Sequence, residues 1–126
     1  MTQEHKELLF KDLCARLPYG VIVVTQKGRG YVCDINLTIF DYELGVNINP
    51  IIRDTFSIND VKPYLLPMSS MTKEQKEEYQ YITERWMYDS SYSISDSIDW
   101  LNKNHFDYRG LIPMRLAIDA TNLNIY

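Results

Sequence analysis

The side chains of this chain that could act as nucleophiles are two cysteines, Cys14 and Cys33, and the bases that could activate them are His5 and His105. A thiolate nucleophile needs a lowered pKa, which a hydrogen-bonded base or a helix N-terminus supplies. Cys33 precedes Asp34, and a neighbouring carboxylate raises a thiol's pKa. We therefore predict two buried structural cysteines, and a His105 that closes a helix as a cation favoured by the macrodipole. No catalytic residue is predicted.

The spacing of polar residues indicates no metal or cofactor site. The histidines are a hundred residues apart, the cysteines are isolated, and no HxH or HExxH pattern occurs. Gly28 and Gly30 lack the continuation of a phosphate-binding loop. Several aspartates stand at predicted element ends or turns, where Asp is favoured for capping: Asp54, Asp60, Asp96, Asp99 and Asp107. An enzyme would need a site that only the fold assembles, and it is kept as a second alternative.

A basic hairpin supports a different alternative, a nucleic-acid-binding regulatory protein. Lys27 and Arg29 stand beside Tyr31, and Lys11 and Arg16 add positive charge on the first predicted helix. Such a tip could follow a phosphate backbone and stack a base. Hairpin tips are also charged and glycine-rich for structural reasons. The net charge of −4 opposes the binding of a polyanion.

Length and composition favour a single domain over residues 1–126. The chain is 45% hydrophobic and 13% aromatic, which is enough for a folded core. Two cysteines give no disulfide framework, and no apolar run approaches the ~20 residues of a membrane span. The charged N-terminus is unlike a signal peptide. These features predict a reduced cytoplasmic protein with no membrane partner.

The first half of the sequence predicts a helix followed by a small antiparallel sheet. A helix over residues 3–17 has Thr2 as its N-cap and leucines every four residues. A strand over 20–25 and the glycine-containing turn at 27–30 predict a hairpin, whose return run begins at Tyr31. Alternation in that run is expected to place three side chains on one face: Ile35, Leu37 and Ile39. Weaker strand patterns follow, with Pro50 at an edge or turn.

The segment from Lys62 to Thr72 divides this half from a helical one. Because Pro63 and Pro67 remove backbone donors, neither a helix nor a central strand is expected to run through it. Thr72 and Gln75 form a capping-box pattern that starts a second helix. This helix is expected to end near residue 88, and its apolar stripe consists of Tyr79, Ile82 and Trp86.

A third helix is predicted from the capping-box pair Ser93 and Asp96. Its apolar face is expected to hold Ile94, Ile98, Leu101 and His105. Asn104 suits a left-handed C-terminal position, Pro113 suits the start of a short helix, and the last six residues are expected to fray.

Aromatic and methionine side chains are the residues in this sequence that best indicate function. Interface cores are enriched in such residues, and many of them lie within forty positions, among them Tyr64, Met68, Met71, Tyr79, Tyr81, Trp86, Met87, Tyr88 and Trp100. Tyr81 and Tyr88 lie off the apolar stripe of the second helix, so that stripe cannot bury them all. Either the rest of the fold covers them, or they bind a protein partner or a second copy.

Three stretches carry a resemblance to a known family. They run from Leu13 to Gly20, from Lys62 to Thr72 and from Asp99 to Ile112, about a quarter of the chain. Together they resemble a family of small proteins encoded in Bacteroides-type gut bacteria and their phages or mobile elements. The resemblance implies an accessory protein borne by a phage or mobile element, and it transfers no activity and no site residues.

We thus predict an α+β fold with an N-terminal helix, a small antiparallel sheet of meander or SH3-like form, and two to three packed helices. The predicted function is a non-enzymatic accessory or adaptor protein that acts through protein–protein contacts.

Overall fold

The computed structural model describes residues 1–39, 41–49, 52–85, 87–91 and 93–126. It confirms the α+β class. Three α-helices occur in the described residues: α1 (Gln3–Arg16), α2 (Lys73–Arg85) and α3 (Ile94–Lys103). Seven strands accompany them: β1 (Ile22–Thr25), β2 (Gly28–Leu37), β3 (Tyr42–Asn49), β4 (Ile52–Ser57), β5 (Lys62–Pro67), β6 (Phe106–Asp107) and β7 (Ile118–Asp119).

The strands form one mixed sheet. The order β4-β3-β2-β1 is an antiparallel meander, as predicted, and β5 pairs with β1 on its other side. The two short strands β6 and β7 both pair with β5 in parallel. The described part of the sheet is therefore larger than the small antiparallel sheet predicted from the first half of the sequence, because the C-terminal region contributes two short strands whose pairing is non-local.

Two apolar clusters hold the elements together. The larger packs α1 on the meander, and its fully buried members include Leu9, Leu13, Val23 and Leu44. The smaller joins α2 and α3 to the end of β5, and its buried members are Met71, Trp100, Leu101 and Phe106. Burial of each such side chain stabilises the fold by about 1.5–3 kcal/mol. The helices α2 and α3 thus rest on a much smaller core than α1 does.

The helix starts are those that the sequence predicts. Thr2 Oγ1 accepts a hydrogen bond from the His5 amide at 3.1 Å and caps α1. The capping box of α2 is formed in both directions between Thr72 and Gln75, at 2.9 and 3.1 Å. Before α3, the Ser93 amide donates to Asp96 Oδ2 at 2.6 Å. Local side chains satisfy these end groups, and local signals are what sequence patterns convey.

The prediction that no central strand runs through the proline segment is wrong. β5 covers Lys62–Pro67 and lies inside the sheet, between β1 and β6. Its prolines are the second and the last residue, where a fixed φ suits extended backbone. The residues between them carry the pairing: the Leu66 amide donates to the His105 carbonyl, and the Leu65 carbonyl accepts from the Ala120 amide, both at 2.8 Å.

Other local predictions were also wrong. The β1–β2 turn lies at residues 26–27, so Gly28 and Gly30 belong to β2. Of the three side chains predicted to share a face, Ile35 packs partly buried against the larger cluster, whereas Leu37 and Ile39 are exposed. The left-handed residue after α3 is His105, with φ 64°, one position beyond Asn104. Residues 111–115 form turns and no helix begins at Pro113.

A buried ionic network ties α1 to the C-terminal region. Arg16, predicted as a basic surface residue, is completely buried. Its guanidinium donates to the fully buried carboxylate of Asp12 at 2.8 and 3.2 Å, and to the Phe106 carbonyl at 2.6 Å. Arg109 donates to the same carboxylate at 3.1 Å. One aspartate therefore compensates two guanidinium groups, and a buried charge needs such a partner.

The last residue of the sequence is anchored, contrary to the predicted fraying. The pairing of β1 with β5 ends at Val23 opposite Pro63, so the next pair would be Ile22 and Tyr64. There the Tyr126 hydroxyl accepts from the Ile22 amide at 2.9 Å and donates to the Tyr64 carbonyl at 2.8 Å. This side chain replaces a direct ladder hydrogen bond, and burial of its hydroxyl raises the pKa of Tyr126 to about 12.

Replacing Asp12 with Ala leaves both arginines without their counter-charge. We expect Asp12→Ala to lower the free energy of unfolding by about 3–5 kcal/mol, measured by urea denaturation, since an uncompensated buried charge is costly. The matched control is Asp34→Ala, which breaks a solvent-exposed pair with Arg53 and is expected to cost at most about 1 kcal/mol. Equal losses in the two variants would contradict this account of the buried network.

Removing only the Tyr126 hydroxyl tests the bridge between β1 and β5. We expect Tyr126→Phe to cost about 1 kcal/mol, because the partly exposed Ile22 amide and the partly buried Tyr64 carbonyl lose their partner. The Ile22 amide should also exchange faster with solvent. Tyr88→Phe, at an 82% exposed side chain, is the control and should leave stability and exchange unchanged. A Tyr126→Phe protein as stable as the parent would refute the bridge.

Candidate functional site

The pairing of the strands places apolar, aromatic, amide and cationic side chains in one row across the outer face of the sheet. Ile22 lies opposite Tyr31, Tyr31 opposite Asn47, and Asn47 opposite Arg53. Arg29 stands two residues before Tyr31 on β2, and therefore on the same face. A groove of about 400 Å³, here called the sheet-face groove, runs along this row; its lining residues are Ile22, Arg29, Gly30, Tyr31, Asn47, Ile48, Asn124 and Ile125.

Beside the groove, the ion pair between Arg53 and Asp34 lies directly over Gly45. Arg53 donates to both carboxylate oxygens of Asp34 at 2.6 Å, and this hydrogen bonding holds the pKa of Asp34 below its usual value. The pair passes over Gly45, where a Cβ atom would lie 2.5 Å from Arg53 Nη2 and Asp34 Oδ2. Gly45 thus gives the pair room, and the charge of Arg53 is neutralised within the sheet.

The basic hairpin has fewer free charges than the sequence suggests. Lys27 forms an ion pair with Asp54, while the Arg29 guanidinium lies 5.1 Å from the centre of the Tyr64 ring and donates to its hydroxyl at 3.1 Å. With Lys27 paired and Arg16 buried, Arg29 and the exposed Lys11 are the cations of this set that have no carboxylate partner among the described residues, which is little charge for a phosphate backbone. These contacts weaken the nucleic-acid alternative, although Tyr31 is 46% exposed.

A second candidate surface involves α2, α3 and the segment between them. Thirteen large apolar side chains are exposed among the described residues, and five of these lie between residues 81 and 98. We call these five the α2–α3 surface: Tyr81, Met87, Tyr88, Ile94 and Ile98. None of the residues of α2 is fully buried. In this part of the chain, apolar side chains that do not pack into the smaller cluster therefore remain exposed.

The exposure of Ile94 and Ile98 corrects the predicted face of α3. These side chains are 63% and 40% exposed, whereas Ser97, Trp100 and Leu101 are buried. The helix is rotated from the predicted orientation because Trp100 enters the smaller cluster, where it stacks between Tyr79 and Phe106 at centroid distances of 5.5 and 5.7 Å. Two isoleucines one turn apart are consequently left on the outside.

The other interface-type residues divide between core and surface. Tyr64, Met71 and Trp100 are buried. Met68, Tyr79 and Ile82 pack partly buried against the smaller cluster, which confirms the stripe of α2 as far as it is described. Tyr81, Met87 and Tyr88 are exposed, so of the two alternatives that the sequence left open for Tyr81 and Tyr88, the rest of the fold does not cover them. Trp86 lies outside the described residues. Sequence analysis thus identified the part of the chain that contains the interface-type residues, but not which of these residues are exposed.

The segment that joins α2 to α3 is acidic, while at one end of the α2–α3 surface the Arg85 guanidinium lies over the Tyr81 ring. Residues 86–102 contain Asp89, Asp96 and Asp99 and no lysine or arginine. A pocket of about 270 Å³ adjoins them; it is lined by Tyr19, Ile82, Ser91, Asp96, Asp99, Trp100 and Lys103. Carboxylates beside aromatic and aliphatic walls suit the stem and charge of a lysine or arginine side chain.

The cysteines and histidines do not come together as a catalytic set. Cys14 is exposed and Cys33 is half-buried beside Asp34, with Sγ 3.7 Å from Oδ2, so the prediction of two buried thiols is wrong. His105 is buried and stacks on Tyr126 at a centroid distance of 3.5 Å. Burial, together with the charge of Arg16, lowers the pKa of His105 to about 4. It is neutral at pH 7, which overturns its predicted role as a helix-closing cation.

Two further features are absent from the described residues. They contain no group of three or more histidine, cysteine, aspartate or glutamate side chains placed to share a metal ion. In the same residues, no helix has both the length and the apolar character needed to cross a bilayer.

Comparison with known proteins adds nothing to this geometry: no protein-family model, curated protein or solved structure matches the chain. The resemblance to proteins of gut bacteria and their phages therefore stays a prediction.

The neutral His105 makes folding sensitive to acid. Its pKa is about 4 in the folded protein and about 6.5 when unfolded, so the unfolded chain binds the extra proton first as the pH falls. The free energy of unfolding should drop by about 3 kcal/mol between pH 7 and 4 because of this group alone.

Two variants separate this effect from other titrations. The free energy of unfolding is measured by denaturation at pH 7, 6 and 5. In His105→Asn it should no longer fall as the pH falls, since Asn tolerates the left-handed backbone and does not titrate. In His5→Gln, at the other histidine, the fall should keep its parental slope. A parental slope in His105→Asn would show that another group is responsible.

Proposed function

We propose that this protein is a non-enzymatic adaptor that binds a partner protein through the α2–α3 surface. The observation that carries the proposal is the concentration of five exposed apolar side chains in residues 81–98. Exposed apolar patches in folded proteins are characteristic of interaction sites. Tyrosine and methionine are also enriched in the buried centres of interfaces.

The charges around the surface indicate the chemistry of the partner. Three aspartates and no basic residue between positions 86 and 102 favour a partner with apolar side chains flanked by lysine or arginine. The neighbouring pocket has two carboxylates, Asp96 and Asp99, against the single cation Lys103, so it favours a basic side chain of the partner. A symmetric dimer through the same surface would bring these aspartates against their own copies, and like charges facing each other are costly.

The free thiols support a reducing location. Cys14 and Cys33 are both unpaired, and Cys14 is exposed on α1. Exposed free cysteines suit the cytoplasm better than an oxidising compartment. We therefore place the adaptor in the cytoplasm, and an origin on a phage or mobile element rests on the sequence resemblance alone.

The interaction is tested with a surface variant and a matched control. Tyr88→Ser/Ile94→Ser removes two exposed apolar side chains of the α2–α3 surface, and Leu37→Ser/Ile39→Ser removes two equally exposed ones elsewhere. A partner retrieved from host lysate and then purified should bind the parent and the control alike. Its affinity for the surface variant should fall at least about 10-fold, since central interface residues each contribute more than 1 kcal/mol.

Asp99→Lys should weaken the complex further, and more strongly at low salt, if the partner is basic. Light scattering after size exclusion should give a monomer for the free protein. Equal binding by both double variants, or a monomer that retrieves no partner, would refute the proposal.

A further inference from the structure

The sheet-face groove has the properties of a small-molecule site. Its volume of about 400 Å³ falls within the roughly 300–1,000 Å³ of typical ligand pockets. Three isoleucines, Ile22, Ile48 and Ile125, supply apolar walls. Most of its lining belongs to three paired strands, so the groove is formed without any rearrangement.

Arg29 gives this groove a positive charge that the protein does not neutralise. Its neighbours Lys27 and Arg53 have carboxylate partners, whereas no carboxylate among the described residues pairs with Arg29. Instead, its Nε donates to the Tyr64 hydroxyl and its guanidinium lies over the Tyr64 ring. These contacts fix the side chain and leave both Nη groups without an acceptor among the described residues. A positioned guanidinium of this kind suits a carboxylate or a phosphate.

Tyr31 adds a flat surface and a second donor. Its side chain is 46% exposed and lines the groove. The Asn47 amide donates to its hydroxyl at 2.8 Å. Because that hydroxyl is the acceptor in this bond, its own proton remains available for a ligand. The ring can stack on a planar group while the hydroxyl and the Arg29 guanidinium bind an anion.

We propose that the sheet-face groove binds a small molecule with a flat aromatic body and a single anionic group, either a phosphate or a carboxylate. The aromatic body packs on Tyr31 between the isoleucines, and the anion pairs with Arg29. This site is independent of the α2–α3 surface, because the two share no residue.

Nuclear magnetic resonance titration of the full chain with four probes tests the site. AMP and indole-3-acetate present a phosphate and a carboxylate on an aromatic body, and adenosine and indole-3-ethanol are their neutral counterparts. We expect saturable shifts of the amides of Ile22, Tyr31 and Asn47 with at least one anionic probe. Its neutral counterpart should bind at least about 10-fold more weakly, since a charge-assisted contact is lost. Which anion binds more tightly tells phosphate from carboxylate ligands.

Variants assign the roles of the two side chains. Arg29→Gln should weaken binding of the anionic probe about 10- to 100-fold, and Arg115→Gln, at an exposed arginine outside the groove, should not. Tyr31→Phe keeps the ring and removes the donor, so it should weaken binding only several-fold. Thermal unfolding of each variant checks that the fold is intact, and the comparison of charged with neutral probes needs no variant at all.

Three outcomes would overturn the inference. The first is that neither anionic probe gives saturable shifts in the groove at millimolar concentration. The second is that a neutral counterpart binds as tightly as its anionic probe, and the third is that Arg29→Gln and Arg115→Gln bind alike. None of these outcomes bears on the adaptor function, which depends on residues 81–98.

Discussion

Arg16 is a fully buried cation in a protein of modest size, and the C-terminal third of the fold is organised around it. Taking a guanidinium out of water costs several kcal/mol unless a carboxylate and further acceptors replace the solvent. Asp12 supplies the carboxylate from one turn earlier in α1, and the Phe106 carbonyl supplies a second acceptor from a residue ninety positions later. The hydrogen bond from Arg16 to the Phe106 carbonyl therefore fixes the position of the short strand β6, which in turn pairs with β5.

Phe106 links this polar network to the smaller apolar cluster. Its carbonyl accepts from Arg16, and its ring stacks on Trp100 of α3. The helices α2 and α3 are thus attached through few aromatic contacts, and most of α2 remains at the surface. A helix pair with so small a core does not need Tyr88 or Ile94 for folding. Exposed apolar residues at such positions are more readily explained by binding than by packing.

Sequence patterns predicted the parts of this structure that depend on neighbouring residues. The caps at Thr2, Thr72 and Ser93 and the antiparallel meander follow from local hydrogen bonding and alternation. Some wrong predictions were local, such as the position of the β1–β2 turn and of the left-handed residue after α3, but the larger errors concern partners distant in the chain. β5 tolerates Pro63 and Pro67 because β6 and β7 supply its partners, and neither of these two-residue strands has a sequence signature.

The groove was missed for a related reason. Its lining comes from three strands and from Asn124 and Ile125 late in the sequence. The register that sets Tyr31 beside Ile22 and Asn47 is a property of strand pairing, and the alternation within one strand does not reveal it. The orientation of α3 likewise depends on Trp100 rather than on the isoleucine spacing. The side chains of both candidate surfaces could be found in the sequence, but their exposure could not.

The sheet-face groove and the α2–α3 surface are stabilised by different interactions. One wall of the groove is formed by Asn124 and Ile125, which precede the Tyr126 side chain that bridges β1 and β5. The Tyr126 ring stacks on His105, whose protonation is opposed by the charge of Arg16. The groove therefore depends on the polar network, while the α2–α3 surface depends on the apolar cluster around Trp100. Since Arg29 in the groove has no carboxylate partner among the described residues, and aspartates border the α2–α3 surface, an anionic ligand and a basic protein would each be drawn to a different part of one molecule.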